Sequence, residues 1–142
     1  MPDLSNGMTA SEYDEQMAAL FYLLKTLAPP SVNALIRERM RQVTEEGWPP
    51  EHDDKHDQGE LAQAAACYAF HASSRFAWAE DEYRKAPPPF HDFDAGTVTW
   101  PWDMKWWKPK SPWEDLVRAG GLILAEMDRL ERMRVKAEGG AA

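Results

Sequence analysis

Cysteine is nearly absent: Cys67 stands alone, so no internal disulfide can form, and its setting among alanines and aromatics reads as a small buried hydrophobe in a reducing compartment. Long apolar runs are missing too. No stretch approaches the roughly 18 consecutive apolar residues of a membrane span, and the N-terminus lacks the basic-then-apolar pattern of a secretory signal. The expectation is a cytoplasmic protein with no membrane partner. Positive charge is the minority sign: 16 Lys and Arg against 24 Asp and Glu leave a net charge of −8 and a pI near 5.0, which argues against duplex nucleic acid as a partner. There is no glycine-rich phosphate loop, no cysteine spacing for zinc, no serine in a nucleophile-elbow pattern and no internal repeat. P-loop chemistry, zinc-finger folds and covalent catalysis through an activated serine therefore lack their signatures.

What the chain does have is a 44% share of apolar residues, 11 prolines and 7 tryptophans in 142 residues. That length suits one domain with a core of its own, and the apolar fraction is too high for a disordered chain. Its acidity is concentrated. Between Glu45 and Glu60, seven carboxylates and one lysine give a local charge of −6. Two readings of this stretch stay open: a solvated acidic linker, or ligands gathered around a cation.

Helix signals dominate the rest. Thr9-Ala10-Ser11-Glu12 has capping-box spacing, and Tyr13, Met17, Leu20, Leu24 and Leu27 form one apolar stripe that Pro29-Pro30 ends. Ser31 is placed to cap a second helix with Val32, Leu35, Ile36, Met40 and Val43 buried and Gly47 as its stop. After Gly59, the run from Glu60 to Phe70 is apolar on nearly every side and rich in alanine. It predicts a central helix whose small residues let neighbours approach, continuing to the charged run before Pro87-Pro88-Pro89. Ser111-Pro112-Trp113-Glu114 is a second capping box with proline at the first helical position. The helix it opens has Leu116, Gly120, Ile123, Met127 and Leu130 as its core stripe, and Gly120-Gly121 permits a close crossing. The pattern predicts one all-α, four-helix bundle-like domain over residues 1–142, with helices near 10–28, 32–46, 59–84 and 112–136 and frayed ends at 1–8 and 137–142. The Trp/Pro-rich loop at 86–111, before the last helix, should pack down. It forms either the roof of a small core or a lid on which a base stacks while lysines meet phosphate.

Chemistry has few places to sit. His52 and His56 flank Asp53 and Asp54, while Glu60 and Asp115 each open a helix. Hard oxygen ligands suited to Mg2+, or joined by imidazole for Mn2+ or zinc, thus gather at two helix starts and in the loop before one of them. The spacing matches no single metal motif. The arginines of the second helix, Arg41 among them, read either as solvated or Glu-paired side chains or as phosphate contacts leading into the acidic stretch.

Taken together, Glu38-Arg39-Met40-Arg41-Gln42, Glu46-Gly47-Trp48, His52-Asp53-Asp54, Gly59-Glu60-Leu61, Trp100-Pro101-Trp102-Asp103, Trp106-Trp107-Lys108-Pro109 and Asp115-Leu116-Val117-Arg118-Ala119-Gly120 resemble small phage and prophage proteins of unassigned role, over residues 34–132. Those proteins in turn are similar to MazG-type all-α nucleoside triphosphate pyrophosphatases, whose members carry Glu-Glu-x-x-Glu on one core helix and Glu-x-x-Asp on the next. This chain departs from that pattern twice: Gln63 replaces an acid in Glu60-Leu61-Ala62-Gln63, and Arg118 replaces the aspartate in Asp115-Leu116-Val117-Arg118.

The resemblance implies Mg2+- or Mn2+-dependent hydrolysis of a nucleoside triphosphate, with a deoxynucleotide as the favoured substrate, to monophosphate and pyrophosphate. It also implies a homodimer, in the host cytoplasm if the chain is phage-encoded. Under it, Glu60, Asp115 and Asp54 are metal ligands, and Asp53, Asp54 and His56 are further ligands or a base for water. Arg41, Arg118 and Lys108 would contact phosphates, and a tryptophan such as Trp102 or Trp106 would stack on the base. The alternative class is a non-enzymatic helical adaptor or inhibitor that binds a protein partner through its tryptophan-rich loop. Burial of the loop tryptophans and convergence of Glu60 with Asp115 on a cleft separate the two.

Overall fold

The computed structural model describes residues 9–44, 50–89, 91–93 and 96–140, with backbone alone at 24, 50, 91–93, 96–98 and 140. The described residues are all-α apart from one small hairpin. Helix α1 (Ala10–Leu27) opens on the reciprocal capping box its sequence predicts: the Glu12 amide donates to Thr9 Oγ1 at 3.1 Å and the Thr9 amide to Glu12 Oε2 at 2.7 Å. Helix α2 (Pro30–Thr44) starts one residue before the expected cap. Proline's fixed φ suits the first helical position, so Pro30 takes it and Ser31 falls inside the first turn. The stop expected at Gly47 lies outside the described residues, as do the rest of 45–49. A short helix, α3 (Pro50–Asp54), occupies the middle of the acidic stretch.

Helix α4 (Glu60–Ser73) follows Gly59, whose φ of 81° is left-handed and favours a residue without Cβ. It ends at Ser73, well short of the expected residue 84. The Ser73 and Ser74 hydroxyls donate to the Phe70 and His71 carbonyls, each at 2.6 Å, and such local bonds compete with continued helix. A 3-10 turn (Arg75–Ala77) and the single-turn α5 (Glu80–Tyr83) stand in its place. Strands β1 (His91–Phe93) and β2 (Gly96–Val98) pair antiparallel, His91 opposite Val98, within the stretch expected to be a loop. A 3-10 turn (Met104–Trp106) leads to α6 (Pro112–Gly140), which is helical through most of the segment expected to fray. Residues 1–8 and 141–142 lie outside the described residues.

Helix α6 is the spine on which α4, α2 and α3 pack, while α1 packs on α2. Helices α4 and α6 run antiparallel. Arg132, late in α6, bonds Asp54 just before α4 at 2.8 Å, whereas Arg118, early in α6, bonds the Tyr68 hydroxyl in the second half of α4 at 3.0 Å. Between them lies the core: Leu61, Ala64, Ala65, Cys67 and Tyr68 of α4, Ala119, Leu122 and Ala125 of α6, and Trp107.

This core corrects the face expected of α6. Leu116, Ile123, Met127 and Leu130 are 50%, 47%, 59% and 51% exposed, while Asp115, Ala119, Leu122, Ala125 and Arg129 turn inward. Alanines on α4 bring the two backbones close, and the matching face of α6 is its small-residue face, not its most apolar one. The close crossing at Gly120-Gly121 is made by α2. A Cβ at Gly120 would collide with Leu35, and one at Gly121 would lie 2.8 Å from Gln42 Nε2. No helix among the described residues is long and apolar enough to cross a membrane.

Candidate functional site

Where α2, α3, α4, α6 and the tryptophan loop meet, they enclose a cleft of 710 Å³. Its walls are Glu38, Arg41 and Gln42 of α2; His52, Asp53 and His56 in and after α3; Leu61 and Tyr68 of α4; Trp100, Trp102, Asp103, Trp106 and Lys108 of the loop; and Arg118 and Leu122 of α6. The size and the mix of aromatic, cationic and acidic side chains suit a small charged ligand with a flat apolar part.

The loop packs down through its aromatics. Trp107 is buried, stacks on Tyr68 with ring centres 4.7 Å apart, and donates from Nε1 to the Ala86 carbonyl at 2.8 Å. Trp100 meets Tyr68 and Trp102 edge to face, each at 5.4 Å, and Trp102 reaches the His56 ring at 5.2 Å. These rings hold one another in place by the offset and edge contacts that aromatic pairs prefer. Trp106 differs. It is 57% exposed, and the Lys105 and Lys108 ammonium groups lie 5.3 and 6.0 Å from its ring centre.

The basic groups expected to meet phosphate converge on the same cleft. Arg118 donates to the Tyr68 hydroxyl and to the Lys108 carbonyl, both at 3.0 Å, and its guanidinium lies 5.1 Å from the Tyr68 ring centre, so its direction is fixed by the loop it braces. Arg41 makes a two-pronged contact to Glu38, at 2.9 and 2.8 Å. Burial alone would raise the Glu38 pKa, but Arg41, the Gln42 amide and the charge of Arg118 outweigh it and hold the carboxyl below its usual value.

The acids divide. Asp53 is almost fully buried, and burial pushes its pKa up despite the charge of Arg39, whose Nη2 is 3.6 Å from Oδ2. Asp53 Oδ2 has no hydrogen-bond partner among the described residues. Asp54, by contrast, is bound to Arg132 at 2.8 Å and lies 4.0 Å from Lys136 Nζ, and it does not line the cleft. Each aspartate thus has a guanidinium group as a close partner, Arg39 of α2 for Asp53 and Arg132 of α6 for Asp54. His56 Nδ1 is 3.2 Å from Glu60 Oε2, and Glu60 also accepts from the Gln58 amide at 2.8 Å. Asp115 is buried in another polar cluster, accepting from the Tyr83 hydroxyl at 2.6 Å and the Lys110 amide at 3.0 Å.

The expected convergence of Glu60 with Asp115 does not occur. Tyr83, which bonds Asp115, stacks on His71 near the end of α4, while Glu60 opens that helix. Roughly 16 Å of helical rise separates the two ends. Glu60, Asp115 and Asp54 are held by three separate sets of partners and do not fit a single ion as a ligand set. No group of three or more His, Cys, Asp or Glu among the described residues is arranged to hold a metal. The cleft therefore gathers Asp53, His56, Arg41, Arg118, Trp102, Trp106 and Lys108 from the expected site and leaves out Glu60, Asp115 and Asp54.

Sequence reasoning missed Tyr68, which braces Arg118 and Trp107, and Gln42, which lies outside the apolar stripe expected of its helix yet is 2% exposed. The available signal for Gln42 was its place one residue from the apolar stripe, opposite a diglycine on α6. The chain matches no family model, no curated protein and no solved structure.

Proposed function

We propose that the cleft binds a nucleoside triphosphate and that the chain hydrolyses it to monophosphate and pyrophosphate. The observation that carries this reading is the meeting, on one cavity, of an aromatic wall, three cationic side chains and a buried carboxylate one of whose oxygens has no hydrogen-bond partner among the described residues. Trp106, exposed at the rim beside two lysines, supplies the stacking face for a base. Arg118 and Lys108 meet the phosphates, with Arg41 beside them.

Asp53 is the group for water activation. A carboxylate whose pKa burial has raised is a stronger base than one in water, and it faces the cavity. Magnesium or manganese would enter on the triphosphate, supplying charge neutralisation, and Asp53 is the carboxylate placed to meet it. The reaction suits the cytoplasm, where such substrates are found. A homodimer is part of this reading, supported by the exposed row of Leu116, Ile123, Met127 and Leu130, a stripe with the spacing of a helix–helix seam.

The adaptor reading asked for exposed loop tryptophans. Trp107 is buried and Trp100 and Trp102 pack against the core, which leaves Trp106 as the exposed one of these four. The deciding experiment incubates the purified protein with ribo- and deoxynucleoside triphosphates and Mg2+ or Mn2+, and assays pyrophosphate. Release by the wild type and its loss in Asp53→Asn and Arg118→Met is the expected result. Absence of both release and nucleotide binding across the panel overturns the proposal.

A further inference from the structure

Gln42 is 2% exposed, yet it lines the cleft. Its amide has one orientation. Nε2 donates to Glu38 Oε1 at 3.1 Å, and Glu38 is gripped by Arg41 and held ionised, so it can only accept. A flipped amide would set two acceptors against each other. Oε1 is therefore turned away from Glu38, and it has no hydrogen-bond partner among the described residues.

The arrangement is built into the helix crossing. A Cβ at Gly121 would lie 2.8 Å from Gln42 Nε2 and 2.9 Å from Glu38 Cγ, so the pair fits against α6 only because that position is glycine. On the loop side, Trp102 Nε1 is a second buried polar atom of the same cleft without a partner among the described residues. One is a fixed acceptor and the other a fixed donor. Neither is met by another described residue, so a polar group of a bound ligand can satisfy each of them.

Resting on the nucleotide reading of the cleft, we propose that Gln42 is its specificity-determining residue. Its Oε1 accepts a hydrogen bond from an N–H or O–H of the bound nucleotide, and the site thereby rejects nucleotides that lack this donor. The donor is an exocyclic amine of the base or a hydroxyl of the sugar. Glu38 and Arg41 are positioning residues, since they set which end of the amide faces the ligand.

The test measures equilibrium binding to the full chain of three pairs of triphosphates: adenosine against purine riboside, cytidine against its 4-deamino analogue, and ribo- against 2′-deoxynucleotides. Wild type is expected to favour the donor-bearing member of at least one pair by about tenfold or more, and the pair that shows it identifies the source of the donor. Gln42→Met keeps the size and removes the acceptor, and it should bring that ratio close to one. Glu38→Gln serves where Gln42→Met fails to fold. It can accept or donate, so the Gln42 amide is free to turn, and the preference should collapse with Gln42 still present. A wild type that discriminates within no pair, or a ratio unchanged in the variants, overturns the role of Gln42 while leaving the nucleotide reading standing. Failure to bind any of the nucleotides overturns both.

Discussion

Asp115 and Asp53 illustrate what burial does to a carboxylate. Burial raises Asp115, and the Tyr83 hydroxyl, the Lys110 amide and the charge of Arg118 only partly offset it. Asparagine fits the same partners, because its carbonyl accepts from Lys110 while its amide donates to the Tyr83 oxygen. Asp115→Asn should stay within about 1 kcal/mol of wild type in urea unfolding, and Asp115→Ala should lose about 2 to 3 kcal/mol by leaving both partners unpaired. The same shifts set a pH dependence. Between the raised folded pKa of Asp53 and Asp115 and the ordinary value of about 4, the folded state holds more protons than the unfolded one. Stability therefore rises as pH falls through that window. Glu38, held low, acts in the opposite sense: its contribution is complete above the ordinary value and is lost as pH falls through its lowered one. Melting temperature should climb on mild acidification and then drop, and Asp53→Asn should shrink the climb.

Helix α6 shows the same protein one level up. Its inward face sets Ala119 and Ala125 against α4, which offers alanines in turn, so added volume at those two positions has nowhere to go. Ala125→Leu should cost about 1 to 3 kcal/mol through overpacking, measured by chemical denaturation. How much of this was legible follows from how local each signal is. The capping box of Thr9 and Glu12 closes within four residues, and at the second one the Glu114 amide donates to Ser111 Oγ at 3.2 Å while that hydroxyl donates to the Glu114 carboxylate at 2.9 Å; both could be read from spacing. The inward face of α6 could not, because periodicity marks the most apolar arc while the packing partner decides which arc is buried. The end of α4 depended on two serine hydroxyls outcompeting an otherwise continuous apolar pattern. In the site, residue type pointed to the lysines and tryptophans of the loop, Lys108 and Trp106 among them, whereas Arg118 came only from the family resemblance. The partners that disperse the acids could not be read there, because Asp54 meets Arg132 and Asp115 meets Tyr83, both far along the chain.

At the scale of the whole molecule, the proposed dimer rests on the arc of α6 turned to solvent. Ile123→Glu with Met127→Glu places charge on half-exposed positions outside the core, so helix content should be preserved. Under the proposed function, sedimentation should show a dimer for the wild type and a monomer for this variant. Equal masses for the two proteins would remove the dimer from the proposed function without touching the cleft.

Cys67 gives the core a built-in clock. It is the only thiol in the chain, it is 0% exposed between α4 and α6, and burial pushes its pKa up to about 11. In the closed state the sulfur is neither reachable nor ionised, so a thiol reagent reacts only through transient separation of those helices. When reclosing outruns the reagent, the labelling rate measures the population of the opened state under native conditions, with no denaturant. A nucleotide bound to Tyr68 and Arg118 would hold α4 and α6 together at the same place, and the slowing of the clock with its concentration would report its affinity.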